Sequence, residues 1–129
     1  QKTNLILENT YCHGDLSLSN IIFKENQIYL IDFLDTYFNS YLLDIAKIRQ
    51  DTLYYWIFKV NDYSSIKCDI VTKKINASLE KMFKNEMSSI EFKIIELINF
   101  LRIEPYTYND KEKGLLNETI YEIFNNMSK

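Results

Sequence analysis

The pattern of hydrophobic and polar positions divides the chain into a short extended part and a longer helical part. Two apolar runs, IIF at 21–23 and IYLIDF at 28–33, are rich in β-branched and aromatic residues and are joined by the polar sequence KENQ. Such a pair of runs around a short polar connection is typical of a β-hairpin. After Ser40 the spacing of apolar residues becomes helical, so the sequence predicts a small β unit followed by helices.

Four apolar stripes at helical spacing follow Ser40, which is itself a candidate N-cap. The stripes cover residues 42–53, 66–83, 90–101 and 115–125. We interpret them as helix faces that pack in a core. The predicted fold class is therefore α+β and mostly helical, with about four helices after the hairpin.

Two of the predicted helices carry boundary signals. Ser88 is followed three residues later by Glu91, which fits a capping box with Ser88 as the cap. Pro105 ends that helix, because proline cannot continue a helical hydrogen-bond ladder. Gly114 stands just before the last predicted helix.

Composition narrows the class of protein. The chain has 129 residues, which is one domain (1–129) or a piece of one, and 47% of them are hydrophobic. Its net charge of −3 offers no basic surface for nucleic acid. There is no apolar run of about 18 residues for a membrane span. Cys12 and Cys68 are too few for a disulfide framework, so we expect a cytoplasmic protein with reduced thiols.

The candidate chemistry lies in YCHGDLSLSN, residues 11–20. One of only two glycines and the only histidine fall together in His13-Gly14-Asp15, between extended runs. Asn20 follows Asp15 by five residues, and Asp32 follows Asn20 by twelve. Carboxylate and amide oxygens are ligands that Mg²⁺ prefers, and one further carboxylate can act as a base in phosphoryl transfer. Taken alone, Asp15 and Asn20 also fit an ordinary turn.

The order and spacing of these residues resemble a known family. The pattern H-x-D-x-x-x-x-N followed by D-F is that of protein kinases. The segment is similar to the catalytic core of the aminoglycoside phosphotransferase and choline kinase family, which writes H-G-D-x-x-x-x-N, then I-D-F, then D-[LI]-A. Here the last two elements are Ile31-Asp32-Phe33 and Asp44-Ile45-Ala46, so the resemblance covers about residues 11–50.

The resemblance implies a role for each matching residue. Asp15 corresponds to the catalytic base, and Asn20 and Asp32 correspond to the Mg²⁺ ligands. Three residues would support the loop: His13 as a brace against the second metal-binding segment, Gly14 as the flexible turn, and Asp44 as a buried acceptor for amides of residues 11–15. Apolar side chains under the adenine or beside the metal would be Ile22 and Ile31.

Two features depart from the family pattern. Ser17 stands two residues after Asp15, where relatives carry histidine or lysine, so a cationic contact to the γ-phosphate is missing. The ten residues before Tyr11 hold no Gly-rich loop, so we expect the nucleotide-binding N-terminal lobe to be absent. The chain would then be a kinase-like C-terminal lobe, with the catalytic loop and hairpin in residues 1–39 and the helical part in residues 40–129. An apolar patch around Ile22, Phe23 and Ile31 should then be exposed or covered by another chain, with some self-association.

The resulting functional hypothesis is the catalytic part of an ATP- and Mg²⁺-dependent small-molecule phosphotransferase. The acceptor would be a hydroxyl of an aminoglycoside, choline, ethanolamine or a sugar-like compound, and the isolated chain would be inactive. A non-catalytic kinase-like remnant that binds a partner, and nucleotidyl transfer on the same scaffold, remain alternatives.

Asp35 and Asp51 are expected to be solvated or capping, although Asp35 also fits the acceptor side. The aromatic residues 54–56 fit either a core or a cation–π wall.

Overall fold

A two-stranded hairpin and a set of helices make up the described part of the chain. The computed structural model describes residues 7–36 and 38–127, so the predicted domain's residues 1–6, 37 and 128–129 lie outside the described residues. The class is α+β and mostly helical, as predicted. The strands are β1 (Ile21–Lys24) and β2 (Gln27–Leu30), and the α-helices of the described residues are α1 (Tyr41–Thr52), α2 (Trp56–Val60), α3 (Ile66–Met82), α4 (Lys84–Met87), α5 (Ile90–Leu101) and α6 (Asp110–Met127).

The hairpin forms where the sequence predicts it but has a shorter second strand. The strands pair antiparallel, with Ile21 opposite Leu30. Its turn residues Glu25 and Asn26 have φ of 51° and 63°, which suits the twist of a two-residue hairpin loop. The second strand ends at Leu30 rather than at the predicted residue 33, because Asp32 adopts a left-handed φ of 59°.

The core lies among the helices. α1 packs against α5, and α5 packs against α6. Two clusters of buried side chains fill these contacts. They are Leu42, Leu43, Ile45, Ala46, Phe92 and Ile95 in the first, and Tyr54, Phe100, Leu116 and Ile123 in the second. The stripes on α1, α5 and α6 are thus core, as predicted. The prediction is wrong for the stripe on α3, where Ile66, Ile70 and Val71 are 81%, 50% and 54% exposed and the buried residue is Thr72.

A buried ion pair also fixes α1. The Arg49 Nε donates to Glu96 Oε1 at 2.7 Å and joins α1 to α5. Burial raises the pKa of Glu96, and the charge of Arg49 opposes that rise. The position of α1 matters because α1 carries the side chains that hold the candidate site.

Two helix boundaries differ from the predictions, and two short helices are new. The N-cap of α5 is Ser89, whose Oγ accepts from the Phe92 N–H at 3.1 Å, whereas Ser88 donates back into the preceding short helix α4. Gly114 lies inside α6, which begins at Asp110, because the Asn109 Oδ1 accepts from a first-turn N–H at 2.9 Å. The short helices α2 and α4 were not predicted.

α5 ends before Pro105, as predicted, and the proline lies in a short 3-10 turn. Both cysteines are free. Among the described residues, no helix combines the length and the apolar character needed to cross a bilayer.

Candidate functional site

The predicted catalytic loop is attached to the first turn of α1 through Asp44. The backbone N–H of His13 donates to Asp44 Oδ2 at 2.7 Å, and that of Gly14 donates to Asp44 Oδ1 at 2.9 Å. These are the predicted hydrogen bonds to the loop backbone. The carboxylate is half-buried rather than fully buried, so part of it still faces solvent.

Asp51 holds the other end of the same loop. Its Oδ2 accepts from the Leu18 N–H at 3.0 Å, and its Oδ1 accepts from the Ile57 N–H at the start of α2 at 3.3 Å. The residue is 1% exposed, so the expectation of a solvated carboxylate is wrong and the capping alternative holds. Burial raises the pKa of Asp51, and the two amide hydrogen bonds oppose that rise.

A lysine that sequence reasoning did not select contacts the predicted base. The Lys47 Nζ lies 2.9 Å from Asp15 Oδ1, and the two side chains are 17% and 27% exposed. Lys47 stands three residues after Asp44 and four before Asp51, a spacing that puts all three on one face of α1. That spacing is the signal in the sequence that would have found it.

Asn20 is oriented by Asp15. Its Nδ2 donates to the Asp15 backbone oxygen at 2.9 Å and to Asp15 Oδ2 at 3.1 Å. Both contacts are made by the amide nitrogen, which can only donate. The Asn20 Oδ1, which accepts no hydrogen bond from the described residues, is therefore the atom available to an external ligand.

His13 and Gly14 hold the loop against the segment that follows β2. The His13 Nδ1 accepts from the Asp15 N–H at 3.3 Å, and its ring lies 4.2 Å from the Phe33 ring, centroid to centroid. Gly14 has a φ of 84°, and a Cβ there would lie 2.2 Å from the Leu34 backbone oxygen. Only glycine fits this approach of the two segments.

Two backbone hydrogen bonds bring the Asp32 segment alongside the loop. The Ile31 N–H donates to the backbone oxygen of Asn20 at 3.1 Å, and the Leu34 N–H donates to the backbone oxygen of His13 at 3.0 Å. Between them the Asp32 side chain is exposed. That the Asp32 carboxylate and the Asn20 Oδ1 share one ion stays a prediction. In the described part of the chain, no three His, Cys, Asp or Glu side chains group together as a metal site.

The apolar residues predicted beside the nucleotide are exposed. Ile22 and Ile31 retain 44% and 39% of their surface, and neighbouring Phe23 retains 76%. The predicted exposed patch is therefore present. The role of Ile22 and Ile31 in holding adenine stays a prediction.

Two cavities meet at the Asp15–Lys47 pair. The larger, of about 930 Å³, is also lined by Asp35, Trp56 and Arg102. The smaller, of about 270 Å³, reaches along the loop past Ser17. A third cavity of about 510 Å³, between α2, α3 and α6, lies away from Asp15.

The aromatic residues 54–56 divide between the two predicted roles. Tyr54 is core, and its hydroxyl donates to Glu96 Oε2 at 3.3 Å. Trp56 packs edge-on against Phe100 and also lines the cavity beside Asp15. A cation–π contact there is open to Trp56 and not to Tyr54.

Comparison with known proteins adds no relative to this description. No protein-family model, no curated protein and no solved structure matches the chain. The functional argument therefore rests on the motif residues and on their geometry.

Proposed function

We propose that this chain is the catalytic, kinase-like C-terminal portion of an ATP- and Mg²⁺-dependent phosphotransferase with a hydroxyl acceptor. The observation that carries the proposal is the pair of hydrogen bonds from the loop amides of His13 and Gly14 to Asp44. They join two motif elements that are about 30 residues apart in sequence. An ordinary local turn would not need a contact between such distant residues.

Asn20 and Asp32 are the residues that would hold Mg²⁺. The donor chemistry fits, because one amide oxygen and one exposed carboxylate are hard oxygen ligands, and Mg²⁺ completes its shell with water and phosphate oxygens. When bound, the ion would neutralise charge on the phosphates.

Asp15 would receive the proton of the acceptor hydroxyl. Its Oδ2 is held by the Asn20 amide, so the carboxylate is fixed relative to the loop. The hydroxyl oxygen would form a bond to the γ-phosphorus as the bond from that phosphorus to the bridging oxygen of ADP breaks. The hydroxyl proton passes to Asp15 and then to solvent.

The cavity of about 930 Å³ suits the acceptor, because Asp15 lines it directly. A carboxylate (Asp35), a guanidinium (Arg102) and an indole (Trp56) share its wall. Such a lining is compatible with aminoglycoside, choline, ethanolamine and sugar-like acceptors alike. The acceptor class is therefore tested with a panel.

The exposed hairpin face is the observation that favours the alternative, a partner-binding kinase-like remnant. Phe23 and Ile28 lie opposite each other on β1 and β2 and are 76% and 63% exposed. In the phosphotransferase proposal a nucleotide-binding lobe or a second copy covers this face.

A coupled ADP-release assay tests the proposal. It compares the 129-residue chain with a longer protein that adds a nucleotide-binding lobe upstream, across a panel of hydroxyl acceptors. We expect no turnover from the chain alone, and turnover from the longer protein that Asp15→Asn abolishes. Asp69→Asn, an exposed acid on α3, is the matched control and should leave turnover unchanged. Undiminished turnover in Asp15→Asn would overturn the role of the loop.

A further inference from the structure

We infer that Lys47 is the cation that contacts the transferring phosphoryl group, and the inference rests on the proposed function. The position two residues after Asp15, where the family carries a basic or imidazole side chain, is Ser17 in this chain. Ser17 is buried, and its hydroxyl lies 2.7 Å from the Ser19 hydroxyl, so it offers no charge. Lys47 brings a positive charge to the same carboxylate from a different element, α1.

The attachment of the loop to α1 brings Asp15 close to Lys47. Asp44 binds the start of the loop and Asp51 binds its end, and both belong to the same face of α1 as Lys47. The loop is thus held on both sides of the lysine. Its side chain is only 17% exposed, and its ammonium lies 2.9 Å from Asp15 Oδ1.

The hydrogen-bonding capacity of Lys47 is only partly used. An ammonium has three donors, and among the described residues Asp15 is the one ion-pair partner of Lys47. Lys47 lines both cavities that meet at Asp15. The remaining donors are therefore available to a ligand that enters either cavity.

The carboxylates around Lys47 explain why a phosphate would need a positive charge at this place. Asp15 and Asp51 both face this region, and each would repel a phosphate that approached within a few ångströms. The positive charge of Lys47 also opposes the rise in the pKa of Asp51, so its field reaches both carboxylates. With Lys47 in place, an anionic group can approach Asp15 without facing an uncompensated carboxylate.

Lys47 supplies charge and hydrogen bonds to the reaction and keeps its protons. In the transfer step the acceptor oxygen bonds to the γ-phosphorus, the bond to the ADP oxygen breaks, and the acceptor proton goes to Asp15. Charge on the equatorial phosphoryl oxygens is stabilised by fixed positive groups in such a site. An ammonium between Asp15 and one of those oxygens would also align the base with the phosphorus.

The test measures binding of Mg²⁺-tripolyphosphate to the 129-residue chain by titration calorimetry. We expect Lys47→Met to weaken binding about tenfold or more, because a charge-assisted contact is lost. Lys47→Arg should stay within about threefold of the wild type, because it keeps the charge. Lys113→Met, at an exposed lysine of α6, is the control and should not change the affinity. Equal affinity of the wild type and Lys47→Met would overturn the inference.

A second measurement does not depend on a folded variant. In the wild-type chain, the side-chain methylene NMR signal of Lys47 should shift on addition of tripolyphosphate. Shifts confined to other lysines would overturn the inference.

The experiment also separates this inference from the proposed function. If Lys47→Met binds normally while Asp32→Asn loses Mg²⁺-dependent binding, the inference fails and the metal site stands. If Lys47→Met loses binding while Asp32→Asn and removal of Mg²⁺ have no effect, the inference stands and the proposed metal ligand fails. A wild-type chain that shows neither binding nor a Lys47 shift at millimolar tripolyphosphate would overturn the inference, whereas the proposed function is decided by the turnover of the longer protein.

Discussion

The two segments that carry the candidate site are held in different ways. The loop 13–20 is attached to α1 by side chains at three successive positions of one helix face, namely Asp44, Lys47 and Asp51. The segment 31–36 has two backbone hydrogen bonds to the loop and one ring contact, and most of its side chains are exposed.

The difference indicates which part of the site the described residues determine by themselves. Asp15 and Asn20 have their geometry set by contacts within the chain. Asp32 has its backbone placed, but its side chain is open to solvent and next to an uncovered apolar face. A ligand or a covering surface would complete the second segment, whereas the first is already organised.

The largest expected effect comes from forcing the two segments apart. Gly14→Ala places a Cβ 2.2 Å from the Leu34 oxygen at a φ of 84°. Because neither backbone can yield without losing hydrogen bonds, the free energy of unfolding should fall by about 2 kcal/mol or more in a denaturant titration. Gly114→Ala is the matched control: a Cβ there meets nothing within 4 Å in α6, so alanine should stabilise by about 0.5–1 kcal/mol. Equal effects of the two substitutions would contradict the close approach.

The next largest effect comes from detaching the loop from α1. Asp44→Ala strands two amides and should lower the free energy of unfolding by about 1–3 kcal/mol. Asp69→Ala removes an acid from the corresponding first turn of α3, where the carboxylate pairs with exposed Lys73. That control should cost about 0.5 kcal/mol or less. A loop whose backbone amides exchange equally slowly in wild type and Asp44→Ala would show that Asp44 does not hold it.

The same comparison shows what the sequence allows one to predict. The apolar pattern located the hairpin, the motif located the loop, and the family resemblance implied the Asp44 contact. Sequence reasoning did not select Lys47, although its spacing from Asp44 puts it on the face of α1 that meets the loop. It also missed the buried state of Asp51, which depends on how that face packs. That face is set by packing of α1 on α5, a long-range contact that a short motif does not contain.

Helix boundaries show the same limit on a smaller scale. Ser88 and Ser89 are both good caps, and the choice between them depends on the unpredicted helix α4, which uses Ser88. The start of α6 was signalled by Asn109 and Glu112, a spacing typical of a capping box, but Gly114 suggested a later start. Local signals thus compete, and tertiary context selects one.

A smaller effect is expected from the titration of Asp51. Burial raises its pKa in the folded state above the unfolded value, so the folded protein retains the proton to a higher pH. The contribution of Asp51 to stability therefore increases as the pH falls through its folded pKa toward its lower unfolded pKa. Asp51→Asn removes this contribution, so the wild type should gain stability relative to the variant as the pH is lowered. Glu96 titrates in both proteins and cancels in the difference. A difference that is independent of pH, or of opposite sign, would contradict the burial of a charged Asp51.

The smallest effect on stability is expected on the exposed face of the hairpin. Ile28→Lys should change the free energy of unfolding by less than about 0.5 kcal/mol, because the side chain is 63% exposed. It should nevertheless reduce self-association in sedimentation velocity experiments, because it puts a charge into the apolar face. Tyr121→Lys, at a comparably exposed position on α6, is the control and should leave association unchanged. Loss of more than about 1 kcal/mol in Ile28→Lys would show that the face is packed within the chain.

The most direct test of the central claim is paramagnetic broadening by Mn²⁺, used as a substitute for Mg²⁺, in the amide NMR spectrum of the chain with ADP. The account predicts that the amides of residues 15–20 and 31–33 broaden together and more than all others, and that Asp32→Asn removes the effect in both segments. Broadening of one segment without the other, or broadening that Asp32→Asn leaves unchanged, would contradict the claim that the loop and the Asp32 segment form one metal–phosphate site.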